Sequence, residues 1–284
     1  TRLGRIRKDV AANTGLDEIE VILPGTHDTA SAVMAVPACG SPTPQPDWCY
    51  ISSGTWSLMG VEIPAPVIHD RCRERNFTNE GGVGGTIRLL KNIAGLWFVQ
   101  ECRRLWAQQG RDYVWDQLVH LAEESPRLIS FIDPDEERFV APANMVESIR
   151  GYCSDTGQTV PDNEGQVIRC ILESLSMRYR QVLGWMDELT GGRIETVHIV
   201  GGGSQNQLLC QMAANATGRQ VIAGPTEATS IGNLLVQATA AKEVGSIVEA
   251  REVVRNSFDV QEYLPRDVTA WDDAFERFRQ ATTG

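Results

Sequence analysis

No run of apolar residues in this sequence approaches the roughly 20 needed to cross a bilayer, and no charged segment followed by an apolar one opens it as a secretion signal would. The first absence argues against a membrane partner, and the two together set the expectation of a cytoplasmic protein. Positive charge is also scarce: 26 Lys and Arg face 37 Asp and Glu, for a formal net charge of −11. Nucleic-acid binders usually present a basic face, so no nucleic acid is expected as a partner. Any bound anion must be met locally, by backbone N–H groups, a metal ion or a few cations. The seven cysteines, at 39, 49, 72, 102, 153, 170 and 210, contain no Cys-x-x-Cys pair. A protein zinc site is therefore not expected, nor is the disulfide framework of small secreted domains. Most of these cysteines read as buried thiols; Cys153 and Cys170 flank one loop and are the pair a bridge would join.

What is present is an ordinary globular composition. With 284 residues, 42% of them hydrophobic, the chain can bury a large core and form one big domain or one and a half smaller ones. Thr1 rather than Met stands first, and Thr1 to Gly15 reads as the tail of a helix ending at Gly15, so a piece of a longer protein is expected.

The most informative stretch is Glu195-Thr196-Val197-His198-Ile199-Val200-Gly201-Gly202-Gly203-Ser204-Gln205-Asn206. An apolar strand runs into three glycines and then a helix. Glycine permits positive φ and close approach of a ligand to the main chain, while the following helix points free N–H groups toward the turn. A nucleotide site has this geometry, although the same pattern also serves as plain punctuation in α/β proteins. Two further segments have the same character, Leu23-Pro24-Gly25-Thr26-His27-Asp28-Thr29-Ala30-Ser31-Ala32 and Tyr50-Ile51-Ser52-Ser53-Gly54-Thr55-Trp56-Ser57-Leu58. Each sets glycine and small hydroxyl residues after an apolar strand.

Around these landmarks the pattern predicts a strand over 19–23, an Ala/Ser-rich helix over 26–36 with Asp28 in its first turn, and a β-hairpin of strands 48–53 and 55–62. An extended segment follows over 75–80, with a flexible Gly81-Gly82-Val83-Gly84-Gly85 link. Leu89, Ile93, Leu96, Trp97, Val99 and Leu105 fit one face of a long helix over 88–109, and a second helix covers about 114–124. Residues 129–165 read as loop with short helices at most. Asp155-Thr156-Gly157, within that loop, reads as a turn. A long helix over 166–189 precedes strand 196–200, helix 206–217, strand 220–223 and helix 230–243. This βαβα alternation predicts parallel pairing with right-handed crossovers. A last helix spans about 270–281.

Gly-Thr-His-Asp-Thr-Ala-Ser-Ala-Val at 25–33, Ser-Ser-Gly-Thr-Trp-Ser-Leu-Met-Gly at 52–60, Thr-Asn-Glu-Gly-Gly at 78–82, Leu-Lys-Asn-Ile-Ala-Gly-Leu-Trp at 90–97 and Gly-Gly-Gly-Ser-Gln-Asn at 201–206 occur together in this order. In these motifs the sequence resembles the FGGY family of carbohydrate kinases, and most closely its rhamnulose-phosphorylating branch. The likeness extends over nearly the whole chain, thinly in 62–75 and 125–165. It implies an α/β fold of the actin-like ATPase, ribonuclease H-like kind, a mixed sheet flanked by helices. Residues 1–36 would then be the end of the first domain and the hinge, and 37–284 the C-terminal nucleotide-binding domain. The family's first domain opens with an Asp-x-Gly phosphate loop that helps hold Mg-ATP; nothing here matches it, so the isolated chain is expected to be inactive.

The resemblance also implies roles. Asp28 matches the catalytic base of a transfer from ATP, with Mg²⁺, to a sugar hydroxyl; on the residues alone it is a helix cap or dipole partner. His27 and Thr29 match sugar contacts, although an interior hydrogen-bonded histidine is the plainer reading of His27. Asn92 matches another sugar contact, although capping or solvent exposure would also account for a polar residue there. Thr55 matches the second phosphate-binding motif, where its hydroxyl and the turn's N–H groups can meet phosphate oxygens. Gln100, Gly202 and Asn206 match contacts to the nucleotide. No protein metal site is expected. The expected ligands are thus ATP, Mg²⁺ and a small-molecule sugar: rhamnulose, or alternatively another substrate of the family such as fuculose, xylulose or glycerol. A non-catalytic nucleotide-binding fragment is the remaining alternative.

Overall fold

Along Trp48-Cys49-Tyr50-Ile51 successive side chains enter two different cores. Cys49 and Ile51 join one apolar cluster, while Trp48 and Tyr50 join another. A strand turns alternate residues to opposite faces, so a sheet whose strands are apolar at both parities must be covered on both sides. The computed structural model describes residues 2–16 and 19–282. Its elements in chain order are β1 (Arg2–Arg5), α1 (Lys8–Thr14), β2 (Glu20–Ile22), α2 (Asp28–Met34), β3 (Trp48–Ser53), β4 (Trp56–Ile63), α3 (Asp70–Glu74), β5 (Thr78–Gly81), β6 (Ile87–Ala94) and α4 (Trp97–Gln108). Then come α5 (Trp115–Glu124), α6 (Met145–Asp155), α7 (Glu164–Thr190), β7 (Thr196–Val200), α8 (Gln207–Thr217), β8 (Gln220–Ala223), α9 (Ala228–Ala241), α10 (Ile247–Ser257), β9 (Gln261–Tyr263) and α11 (Val268–Thr282).

Seven strands form one sheet in the order β5-β6-β4-β3-β7-β8-β9. The centre is parallel, with β3 pairing β7 and β7 pairing β8, while β4, β6 and β5 on one side and β9 on the other run antiparallel to their neighbours. One face packs Ile51, Met59, Leu89 and Val197 against α7, α8 and α11, including Leu175, Tyr179, Ala213 and Trp271. The other packs Trp48, Tyr50, Leu90 and Val200 against α2, α9 and α10. α7, 27 residues long, starts where Asn163 accepts a hydrogen bond from the Gln166 amide and ends where Gly191 adopts φ +66°. Such a pair of caps is how a helix of this length is given defined ends. Among the described residues no helix is long and apolar enough to cross a membrane.

α2 is held from both ends of the second core. Arg251 of α10, fully buried, donates to the Val33 carbonyl at 3.1 Å and pairs with Glu62 of β4 at 2.7 Å. Glu62 also accepts from Thr86 Oγ1 at 2.9 Å. Along its flank α2 lies so close to α9 that a Cβ on Gly232 would fall on the Ser31 carbonyl.

Four expectations need correction. Residues 88–109 are not one helix: β6 ends at Ala94, and α4 begins only at Trp97. Leu89 and Ile93 are four residues apart, an even spacing that keeps them on one face of a strand as well as of a helix. β6 also lies inside the sheet, buried on both faces, with Arg88 paired to Glu80 at 2.9 Å and Lys91 to Asp135 at 3.2 Å. Asn92 is therefore on a strand. Residues 129–165 contain a regular helix, α6, capped by Asn144, which accepts from the Glu147 amide at 3.1 Å. The helix tail expected through Gly15 is present from Lys8, with Gly15 at φ +69°, but Arg2–Arg5 is strand and Thr1 lies outside the described residues. Residues 244–267, where the sequence pattern predicts no element, contain α10 and β9. All seven cysteines are free thiols; only Cys39 is exposed, and Cys153 and Cys170 are both buried without a bridge.

Candidate active site

Three chain segments meet at the C-terminal edge of the parallel strands. The first is the start of α2. His27 is its N-cap and accepts from the Thr29 amide through Nδ1 at 3.3 Å, while Asp28 Oδ1 accepts from the same amide at 2.7 Å. The Asp28 side chain is 77% exposed, with His27 Nδ1 3.2 Å from its Oδ1. Thr29 is buried beneath it.

The second segment is the tip of the β3–β4 hairpin. Its shape comes from the junction that follows β6. The Gly95 and Trp97 amides both donate to the Thr55 carbonyl, at 3.1 and 3.0 Å, and the Leu96 amide donates to the Gly54 carbonyl at 3.0 Å. With its carbonyls engaged on that side, the Thr55 hydroxyl reaches Gln100 Oε1 at 3.2 Å. Beneath the tip, Ser57 shares a 2.7 Å hydrogen bond with Tyr179 of α7, both fully buried. Burial raises the Tyr179 phenol to about 12, so it stays neutral.

The third segment is the glycine turn after β7. Gly201 has φ +85°, and a Cβ there would stand 2.8 Å from the Ser53 carbonyl, so the position demands glycine on both counts. A Cβ on Gly203 would enter the Ser53 side chain, whereas at Gly202 it would meet nothing within 4 Å. Gly202 thus presents open backbone to solvent while its neighbours seat the turn on β3. Asn206 caps α8, accepting from the Leu209 amide at 3.0 Å.

These segments enclose two adjoining clefts. One, of about 670 Å³, brings together His27, Asp28, Thr29, Thr55, Asn92 and Gly202. The other, of about 410 Å³, brings together Gln100, Gly202 and Asn206. They share Gly54, Gly202 and Gln205 as a common saddle. Every residue to which the resemblance gives a binding or catalytic role lies on one or both. Sequence reasoning missed Thr226, Glu227 and Thr229 in the first cleft and Trp115 and Asp116 in the second. For the former a signal existed, since Pro-Thr-Glu ahead of an Ala-rich run marks a helix start. Trp115 carries no local signal, because α5 reaches the cleft only through the fold.

Among the described residues no Lys or Arg lines the larger cleft. An anion placed there would face backbone N–H groups and hydroxyls. Asp28 and Glu227 are its carboxylates, and among the described residues no group of three or more His, Cys, Asp or Glu is arranged to hold a metal ion. A triphosphate suits the open backbone at Gly202 and the hydroxyl at Thr55. A divalent cation would have to be held chiefly by the phosphates themselves.

The family model for the C-terminal domain of FGGY carbohydrate kinases matches residues 49–241. The chain is 47% identical to a rhamnulokinase of Bacteroides thetaiotaomicron, over 98% of this chain and 56% of that protein. It is 43% identical to a rhamnulokinase of Bacillus subtilis, over 94% and 53%. The chain thus spans about half the length of these curated relatives. Among solved structures, a xylulose kinase from Rhodospirillum rubrum superposes with a TM-score of 0.68 at 16% identity, over 98% of this chain and 54% of that one. At that identity the likeness is one of fold, the actin-like α/β architecture.

Proposed function

Since the chain belongs to the FGGY family of carbohydrate kinases, we propose that the protein transfers the γ-phosphoryl group of ATP to a hydroxyl of a ketose, L-rhamnulose, yielding L-rhamnulose 1-phosphate in the cytoplasm. The observation that carries this reading is the convergence of the exposed Asp28 carboxylate with Thr55 and Gly202 in one cleft of about 670 Å³. A sugar kinase has little covalent chemistry to do. It positions an acceptor oxygen in line with the phosphorus, meets the charge on the phosphoryl oxygens and removes one proton.

Asp28 takes that proton. As the acceptor oxygen forms its bond to the γ-phosphorus, the bond from that phosphorus to the bridging oxygen breaks and ADP leaves, while the acceptor's O–H bond breaks and its proton passes to the free carboxylate oxygen. The other oxygen stays engaged with the Thr29 amide, which fixes the direction in which the carboxylate points. His27, Thr29 and Asn92 border the same space and hold sugar hydroxyls. The Thr55 hydroxyl and the amides around Gly202 meet phosphate oxygens, Gln100 holds Thr55 in place, and Asn206 approaches the nucleoside. Mg²⁺ carried by the nucleotide supplies further charge neutralisation.

Residues 1–36 we assign to the end of the first, sugar-binding domain with its hinge, and 37–284 to the nucleotide-binding domain. The choice of rhamnulose rests on the names of the 47% and 43% identical relatives. The test is phosphorylation of a panel of ketoses and glycerol by the protein containing this chain, read as kcat/KM. Rhamnulose is expected to rank first; a higher value for fuculose, xylulose or glycerol would overturn the substrate assignment while leaving the kinase assignment standing.

A further inference from the structure

The smaller cleft differs in character from the larger one. Where the larger is lined by Asp28, Glu227, serines and threonines, the smaller is walled by Leu96, Val119 and Trp115. Leu96 is nearly buried, but the Trp115 indole, at the first residue of α5, is 38% exposed. A large aromatic residue left this accessible at a cleft mouth forfeits burial unless something covers it. The ring is also held in place. The Arg103 guanidinium lies 5.5 Å from the ring centroid, and Arg103 is itself fixed by donating to the Tyr113 carbonyl at 2.6 Å.

Because the two clefts share the Gly54–Gly202–Gln205 saddle, a ligand with a charged end and a flat apolar end can lie across both. We propose that Trp115 is the platform on which the nucleotide's base stacks, the phosphates crossing the saddle toward Thr55 and Asp28. This rests on the nucleotide-binding reading given above and deepens it, assigning base recognition to α5, an element that carries none of the sequence motifs. Stacking uses the π-face that every base offers, so Trp115 adds affinity for the base and none for the phosphates.

The test compares two probes, ADP and inorganic tripolyphosphate, titrated calorimetrically into this chain and into Trp115→Ala and Trp115→Phe. The proposal expects Trp115→Ala to weaken ADP binding about 10-fold or more. Trp115→Phe, which keeps an aromatic face, should restore most of it. Tripolyphosphate, having no base, should bind all three forms alike. Equal ADP affinity in wild type and Trp115→Ala would overturn the stacking assignment and leave the nucleotide site intact. Parallel losses for ADP and tripolyphosphate would overturn it too, by making Trp115 a structural residue of the cleft. Failure of the unsubstituted chain to bind ADP at all would overturn the nucleotide reading of this chain itself.

Discussion

At the scale of single residues, Asp28 has two duties that one substitution separates. Its Oδ1 accepts from the Thr29 amide at 2.7 Å, and asparagine retains an oxygen able to do the same. What asparagine lacks is a basic oxygen for the acceptor's proton. Asp28→Asn in the complete enzyme should therefore lower kcat by about 10² or more with nucleotide affinity nearly unchanged; steady-state rates beside an ADP titration measure both, and equal losses in the two would identify a structural role. His198 makes a different kind of prediction. It is buried edge-on to Trp48, with Nδ1 unpartnered, and burial, reinforced by the charges of Arg251 and Arg255, pushes its pKa down to about 3. An unfolded histidine binds a proton below about 6.5, so between 6.5 and 3 the unfolded chain holds the extra proton and the folded chain does not. Stability should thus fall with pH below 6.5, by up to about 1.4 kcal/mol per unit from this group, and be restored above it. Thermal melts of wild type and His198→Gln between pH 7 and 5 measure this: the variant's Tm should fall less steeply.

At the scale of elements, close packing against α9 seats α2, the helix whose first residue is Asp28. Gly232→Ala would add a methyl group where the Ser31 carbonyl already stands. Alanine's better helix propensity, worth about 1 kcal/mol, is outweighed by overpacking that costs about 1–3 kcal/mol and by the displacement of α2. Urea midpoint and kcat should both fall; a variant as stable and active as wild type would show that the helices slide apart freely. The same scale explains what was legible in advance. The hairpin tip and the glycine turn are local patterns, set by a few adjacent residues, and each falls where the motif suggested. β6 was not legible, because its two buried faces and the Leu89-to-Ile93 spacing satisfy both periodicities. α6 was hidden by flanks rich in Pro, Asp and Gly, although its Asn-x-x-Glu start, Asn144 to Glu147, was there to be read. Trp115 reaches its cleft from a segment without any motif, so only the tertiary fold brings it in, whereas Glu227 lies at a helix start that Pro225-Thr226-Glu227 marks.

At the scale of the whole molecule, no Lys or Arg among the described residues lines the larger cleft, and the chain spans about half of each of these two curated relatives. α1 buries no residue and the β1–β2 ribbon is exposed along almost its whole length; a two-stranded ribbon of this kind is marginal without something to pack on. Turnover needs a cleft that closes and excludes water. This chain alone, given ATP and rhamnulose, should therefore release ADP no faster than background in a coupled assay, and robust turnover would place the whole machinery within these residues. The distribution of thiols has a practical consequence here. Six cysteines are buried and one, Cys39, is exposed, five positions beyond the last residue of α2. A maleimide dye will therefore attach at a single place without any engineered cysteine, next to the helix that carries Asp28. Its emission becomes a built-in reporter of how that helix responds when nucleotide or sugar arrives.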